Sequence, residues 1–246
     1  MKPIQITASS DLLTVLLGYA KKIGVDQEKV FAECGLTLDE IVSKTQRIPI
    51  SVFNKIWNRV LSHSNDADFG LHFGETANEV LKRHLLYSMM MNCSTIKQAI
   101  HKNFQYHNLI LDVISPKMVE KGEYVHLYWE SMQDFIVEHR HFSESIIVMF
   151  MQMLRYLTDN QIKLKSVVFK HQKPENINEH VRLFGIVPEF KNEKNEVTFH
   201  RDILDHPLMF SNTQFLQDLE AMAQKAIHTI YLSGSWSDRV VRLIFQ

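Results

Sequence analysis

Glu138 and His141 stand three residues apart in a largely apolar stretch, the Glu-x-x-His spacing that places two ligands of a di-iron site on one helix face. A complete centre needs a second such pair and two further inward carboxylates. The only other match, Glu123 with His126, falls in a segment patterned as a strand, where residues i and i+3 point to opposite faces. His139 and His141, two apart, cannot converge on one ion from a helix. Thirteen histidines are present, scattered and without a haem-attachment motif. No P-loop, G-x-G-x-x-G, G-x-S-x-G or Cys-x-x-Cys occurs. The residues thus offer no catalytic set, no metal set and no cofactor. A haem or metal sensor, or an enzyme built from dispersed histidines, stands only as the alternative reading. Met89, Met90 and Met91, with Met149, Met151 and Met153, suit an adaptable pocket, although methionine more often fills gaps in a core.

The element that must position these groups is the stretch Asp134 to Leu157. Phe135, Phe142, Ile146, Met149, Met153 and Tyr156 recur at helical spacing, and Ile147, Phe150, Met151, Leu154 and Leu157 widen the stripe until most of the circumference is apolar. A helix of that kind belongs in the middle of a domain. Ahead of it the pattern is helical. A helix capped by Ser9 or Ser10 runs to Gly24, followed by Gln27 to Cys34, Thr37 to Val42, Pro49 to His63, Asp68 to Glu75, Val80 to Asn92 and Thr95 to His107. Strands are expected at Leu109 to Ile114, broken by Ser115 and Pro116, and at Tyr124 to Glu130, where Val125, Leu127 and Trp129 alternate with Tyr124, His126 and Tyr128. Leu164 to Lys170 and Glu196 to His200 complete the strands, with a short helix from Glu175 to Phe184 between them. The fold class is therefore α+β, a helical N-terminal region (1–107) and an α+β region (108–232) whose largely antiparallel ββαβαβ sheet packs on the long central helix.

Composition narrows the function. Twenty-seven Lys plus Arg against 28 Asp plus Glu give a net charge of -1, without the basic excess of a nucleic-acid binder. The helices near residues 27 to 42 suggest a helix-turn-helix, but no basic recognition face accompanies them. Cys34 and Cys93 are too few for a disulfide framework and read as reduced cytoplasmic thiols. The early run LLTVLLGYA follows Ser9, Ser10 and Asp11 instead of a basic segment, so it reads as a helix and not as a signal peptide. No membrane partner is expected.

From His180 onward, HVRLFGIVPEFKNEKNEVTFHRDILDHPL closely resembles part of the N-terminal effector-binding domain of AraC/XylS-type transcriptional regulators, in the branch with the arabinose-binding type of domain. Phe184, Gly185, Pro188, Phe190, Asn195, Val197, Phe199, Leu204, Pro207 and Leu208 supply that family's pattern in order. RIPISVFNKIWNRV, DADFGLHFGE and FQYHNLILD resemble other parts of the same domain, and WSDRVVRLI looks like the linker (233–246) to a paired helix-turn-helix domain. The resemblance implies a sensor that binds an unknown small-molecule effector and touches DNA only through a C-terminal domain missing from this chain, as in an excised fragment. It also implies a homodimer, for which the Asn212 to Leu232 helix, with Ile227 and Ile230 on its stripe, is the expected surface. A sensor pocket is expected where the long helix meets the sheet, walled by Trp129, Phe142, Ile146 and Met149, with Tyr106, His107 and His141 as polar handles.

Overall fold

Capping side chains open four of the six described helices of the N-terminal half. The computed structural model describes residues 6–37, 47–131 and 139–232; the expected helix Thr37 to Val42, the start of the long helix, Glu138 and the 233–246 segment lie largely or wholly outside them. Strand β1 (Thr7–Ser9) leads into α1 (Ser10–Lys22), where the Ser9 hydroxyl accepts from the Asp11 amide at 3.1 Å. Asp26 caps α2 (Gln27–Cys34), and Gly35, at φ 62°, closes it in the left-handed region that glycine enters without strain. Strand β2 (Arg47–Pro49) pairs with β1 and opens α3 (Ile50–His63). Then come α4 (Phe69–Leu81), α5 (Leu85–Met91) and α6 (Ile96–Tyr106), the last capped by Thr95. The single helix expected over Val80 to Asn92 is thus two. The backbone of His84 is extended and its ring accepts from the Leu86 amide, so a local cap replaces one helical turn.

Strands β3 (Ile114–Lys121), β4 (Tyr124–Ser131), β5 (Leu164–Val168) and β6 (Asn195–His200) form an antiparallel sheet in the order β3-β4-β6-β5. The strand expected at Leu109 to Ile114 is displaced. Residues His107–Leu109 make a turn of 3-10 helix, and β3 begins at Ile114 and runs through Pro116, opposite Trp129. Proline is tolerated there because β3 is an edge strand with one side free of ladder partners. Val125 and Leu127 of β4 lie opposite Phe199 and Val197 of β6, and all four are fully buried.

The long helix α7 spans Arg140–Leu157. The backbone of His139 is extended and serves as its cap. Tyr156, expected on the apolar stripe, is 47% exposed; the stripe has rotated to solvent by the last turn. Two glycines let α7 approach α4 closely. A Cβ at Gly70 would lie 2.1 Å from the His141 carbonyl oxygen, and one at Gly74 would lie 2.7 Å from that of Ser145. On the sheet side, Phe150 meets Trp129 edge to face at 5.4 Å. Helix α8 (Asn178–Phe184) ends at Gly185, φ 74°, and α9 (Thr213–Leu232) packs across α5. One hydrophobic cluster joins residues on both sides of position 107, from Leu12 through Phe73 and Met90 to Leu127, Ile147 and Phe199.

Candidate ligand cavity

Inside that cluster the side chains leave a cavity of about 80 Å³, room for roughly three waters at their share of liquid volume. Helix α7 forms one wall with Phe142, Ser145, Ile146, Met149 and Phe150, and the sheet adds Ile114 and Trp129. The facing wall belongs to the N-terminal helices: Leu12 from α1, Phe53 from α3, Phe73 and Leu81 from α4, Leu86 and Tyr87 from α5, and Asn103 from α6. These walls are apolar because each comes from the inward stripe of an amphipathic element.

Five of the seven residues expected at the site, His107, Trp129, Phe142, Ile146 and Met149, share this cavity. Two do not. Tyr106 lines a wider cleft of about 760 Å³ between α6, β3 and α9, together with His107, Lys117 and His228. The His141 ring turns toward α4, where Nδ1 accepts the Gly70 amide at 3.2 Å and the ring meets Phe69 edge to face. Burial moves the His141 pKa down, in keeping with a neutral imidazole that accepts a backbone hydrogen bond. His107 is likewise pushed down by burial, and its Nδ1 lies 2.8 Å from the Phe104 carbonyl.

Tyr87, Asn103 and Ser145 were not expected at the site. Ser145 spends its hydroxyl on the Phe142 carbonyl at 2.8 Å. The Asn103 amide donates to the Met90 sulfur at 3.3 Å. Tyr87 is only 4% exposed, and its hydroxyl makes no hydrogen bond among the described residues. A signal for it does exist, since Tyr87 is a polar-tipped residue in the apolar run LLYSMMM.

A second polar cluster lies on the first turns of α7, at positions that alternate with those of the cavity wall. Glu144, fully buried, accepts from Arg140 Nε at 2.8 Å and lies 2.6 Å from His180 Nε2 on α8, while Arg140 also reaches Asp68 at 2.5 Å. Burial works to raise the Glu144 pKa, but His180 and Arg140 outweigh it and hold the carboxyl below its usual value. The ionised group therefore braces α7 to α8 and to the start of α4. Among the described residues no three His, Cys, Asp or Glu side chains are grouped to hold a metal ion. The two cysteines are buried, and desolvation pushes the Cys93 thiol up to about 12.

Helices gathered on an antiparallel sheet around an apolar cavity define an α+β binding domain. The chain belongs to the family described as the arabinose-binding domain at the N-terminus of AraC transcription regulators, whose model matches residues 24–208. It is the effector-binding domain of such regulators, usually without catalytic activity. In three dimensions it is similar to the crystal structure of the transcriptional regulator CdpR from Pseudomonas aeruginosa, with a TM-score of 0.60 and 14% identity over 88% of this chain and 67% of that one. At that identity the likeness is one of fold. No curated protein matches the chain. Among the described residues no helix is long and apolar enough to cross a membrane.

Proposed function

We propose that this chain senses a small-molecule effector in the cytoplasm and passes its occupancy, as a homodimer, to a C-terminal DNA-binding domain outside these residues. The effector sits in the cavity between α7, the sheet and the N-terminal helices. One observation carries this reading: the cavity is walled by α1, α3, α4, α5 and α6 on one side and by α7 and β4 on the other. A ligand there touches both halves of the domain, so its binding energy can bias how they sit together. No charged nucleophile or acid-base pair lines the cavity, which suits binding better than catalysis.

The test is a thermal-shift screen of metabolites and fatty acids, because a ligand that binds only the native state raises its apparent stability. Met149 is half-buried at the cavity. Met149→Ala is expected to cost well under the roughly 2 to 5 kcal/mol of a fully packed methionine, to stay folded and to lose the response. Trp129 is 5% exposed and packs on Phe150, so Trp129→Ala should cost more and lose the response as well. Stable variants that still respond fully would place the effector elsewhere.

A further inference from the structure

A cavity of about 80 Å³ is well under the roughly 300 Å³ at which small-molecule sites begin, so an effector that occupies it must move a wall. Most of the walls cannot give. Trp57 packs edge to face on Phe73 at 5.0 Å and on Phe142 at 5.6 Å, which backs the α3, α4 and α7 side with aromatic rings. Met149 can change rotamer, but α7 behind it is wedged on α4, where a Cβ at Gly74 would lie 2.9 Å from the Val148 Cβ. Phe150 and Trp129 fill the sheet side.

One wall is different. His107, Ile110 and Leu111, in the turn between α6 and β3, line the cavity from one side. On the other side His107 and Asn108 face the cleft of about 760 Å³ that also holds Ile227 and His228 of α9. Leu109 faces a second cleft, of about 550 Å³, with Ala226, Thr229 and Ile230. The turn is thus a partition with the cavity inside it and clefts outside. The Leu109 carbonyl accepts from Arg47 Nη1 at 2.9 Å and the Ile110 carbonyl from the Ser9 amide at 2.8 Å, but Arg47 and Ser9 line the second cleft as well. Turn and tethers can therefore shift together without entering close-packed core.

The same turn seats the end of α9. The first half of that helix is anchored through Leu216, Leu219 and Ala223, all buried, whereas Ala226, Ile227 and Ile230 are only partly buried and lie against the turn. Segments with few buried contacts open most easily. We infer that an effector enlarges the cavity by displacing the 107–111 turn, and that the displaced turn loosens the last two turns of α9 while its first half stays docked. The chain runs on from that end of α9, so the change there is what reaches the DNA-binding domain of the proposed function. The inference rests on that reading, and the experiment separates the two.

The probe is benzene, which a protein cavity of about 150 Å³ accommodates; here it fits only if a wall moves. It is titrated into residues 1 to 246 with methyl-labelled methionine, Met149 being assigned by Met149→Leu, and amide hydrogen exchange is followed with and without it. Benzene is expected to move the Met149 resonance and to speed exchange at residues 226–230 by about fivefold or more, the low end of coupling between sites, while residues 216–223 do not speed up. Ile110→Ala gives the probe room inside the partition, so benzene should still bind and most of the α9 response should be lost. A Met149 shift without faster exchange at residues 226–230, or a full response in Ile110→Ala, overturns the coupling and leaves the cavity as the site. Benzene failing to reach Met149 overturns the yielding wall. Should Ile110→Ala be unstable, the exchange pattern of the unaltered protein decides the question. The effector reading fails on a different result: a metabolite from the thermal-shift screen that stabilises the protein without moving Met149 takes the effector out of the cavity.

Discussion

At the scale of single residues, the buried charge of Glu144 makes the sharpest forecast. Removing it leaves Arg140 with Asp68 alone and takes from His180 Nε2 its hydrogen-bond partner, and breaking a buried pair from one side costs about 3 to 5 kcal/mol. Glu144→Ala should show that loss in urea unfolding at neutral pH. The folded-state pKa of Glu144 lies below the ordinary value of 4.5, so its contribution is fully present above that value and is lost as pH falls through the folded pKa. The gap between wild type and Glu144→Ala is therefore expected to be flat from mildly alkaline to mildly acidic pH and to close only in stronger acid. A gap that widened in acid would contradict the ionised brace. Residue types also decide what could be read in advance at the cavity. Phe142, Ile146 and Met149 recur at helical spacing, so their meeting with Trp129 was legible. His141 was not. One step along a helix turns a side chain by about 100°, and it took His141 from the cavity to the Gly70 amide. Tyr87 and Asn103 come from other helices, and the periodicity of one segment says nothing about which helix will face it.

Between elements, the closest approach is α4 against α7. Alanine is normally a better helix former than glycine by about 1 kcal/mol, yet a Cβ at Gly70 would fall 2.1 Å from a backbone oxygen that cannot rotate away. Gly70→Ala should therefore destabilise, by about 1 to 3 kcal/mol or more as the helices are pushed apart, whereas Gly18→Ala, with nothing within 4 Å of the new methyl, should gain stability; chemical denaturation of both variants reads the contrast. The elements themselves were mostly legible, since capped amphipathic helices and alternating strands carry their own periodicity. The exceptions arose where a local contact overrode the pattern, as at His84, or where position in the sheet excused a breaker, as at Pro116. Helix α9 divides its stripe in a way periodicity alone could not show. Leu216, Leu219 and Ala223 are buried, and Ile227 and Ile230 pack partly on the core. Phe215 and Met222, seven apart, remain 48% and 58% exposed, near Met209 and Phe210 in sequence. The homodimer we propose is therefore expected to use Phe215 and Met222. Phe215→Glu with Met222→Glu should give folded monomers by light scattering, while Ile227→Glu should lower stability instead.

For the whole molecule the decisive quantity is charge. Sequence-specific DNA affinity is built on many phosphate contacts, each from a cation that displaces a condensed counterion, and the binding constant falls with salt in proportion to their number. This chain balances 27 basic against 28 acidic residues, and many of its cations are already engaged. Arg140 holds Asp68 and Glu144, Arg182 holds Glu75 and Glu179, and Arg47 holds Asp112. In the function we propose, the apolar cavity takes the small molecule, the exposed α9 face takes a second copy, and DNA is contacted through another domain. Residues 1 to 246 alone are thus expected to give no sequence-selective band in a gel shift at physiological salt, with or without effector. Any weak association at low salt should vanish on modest addition of salt, because it would rest on a few screened surface charges. Tight, sequence-selective binding that survives physiological salt would mean that this chain reads DNA itself.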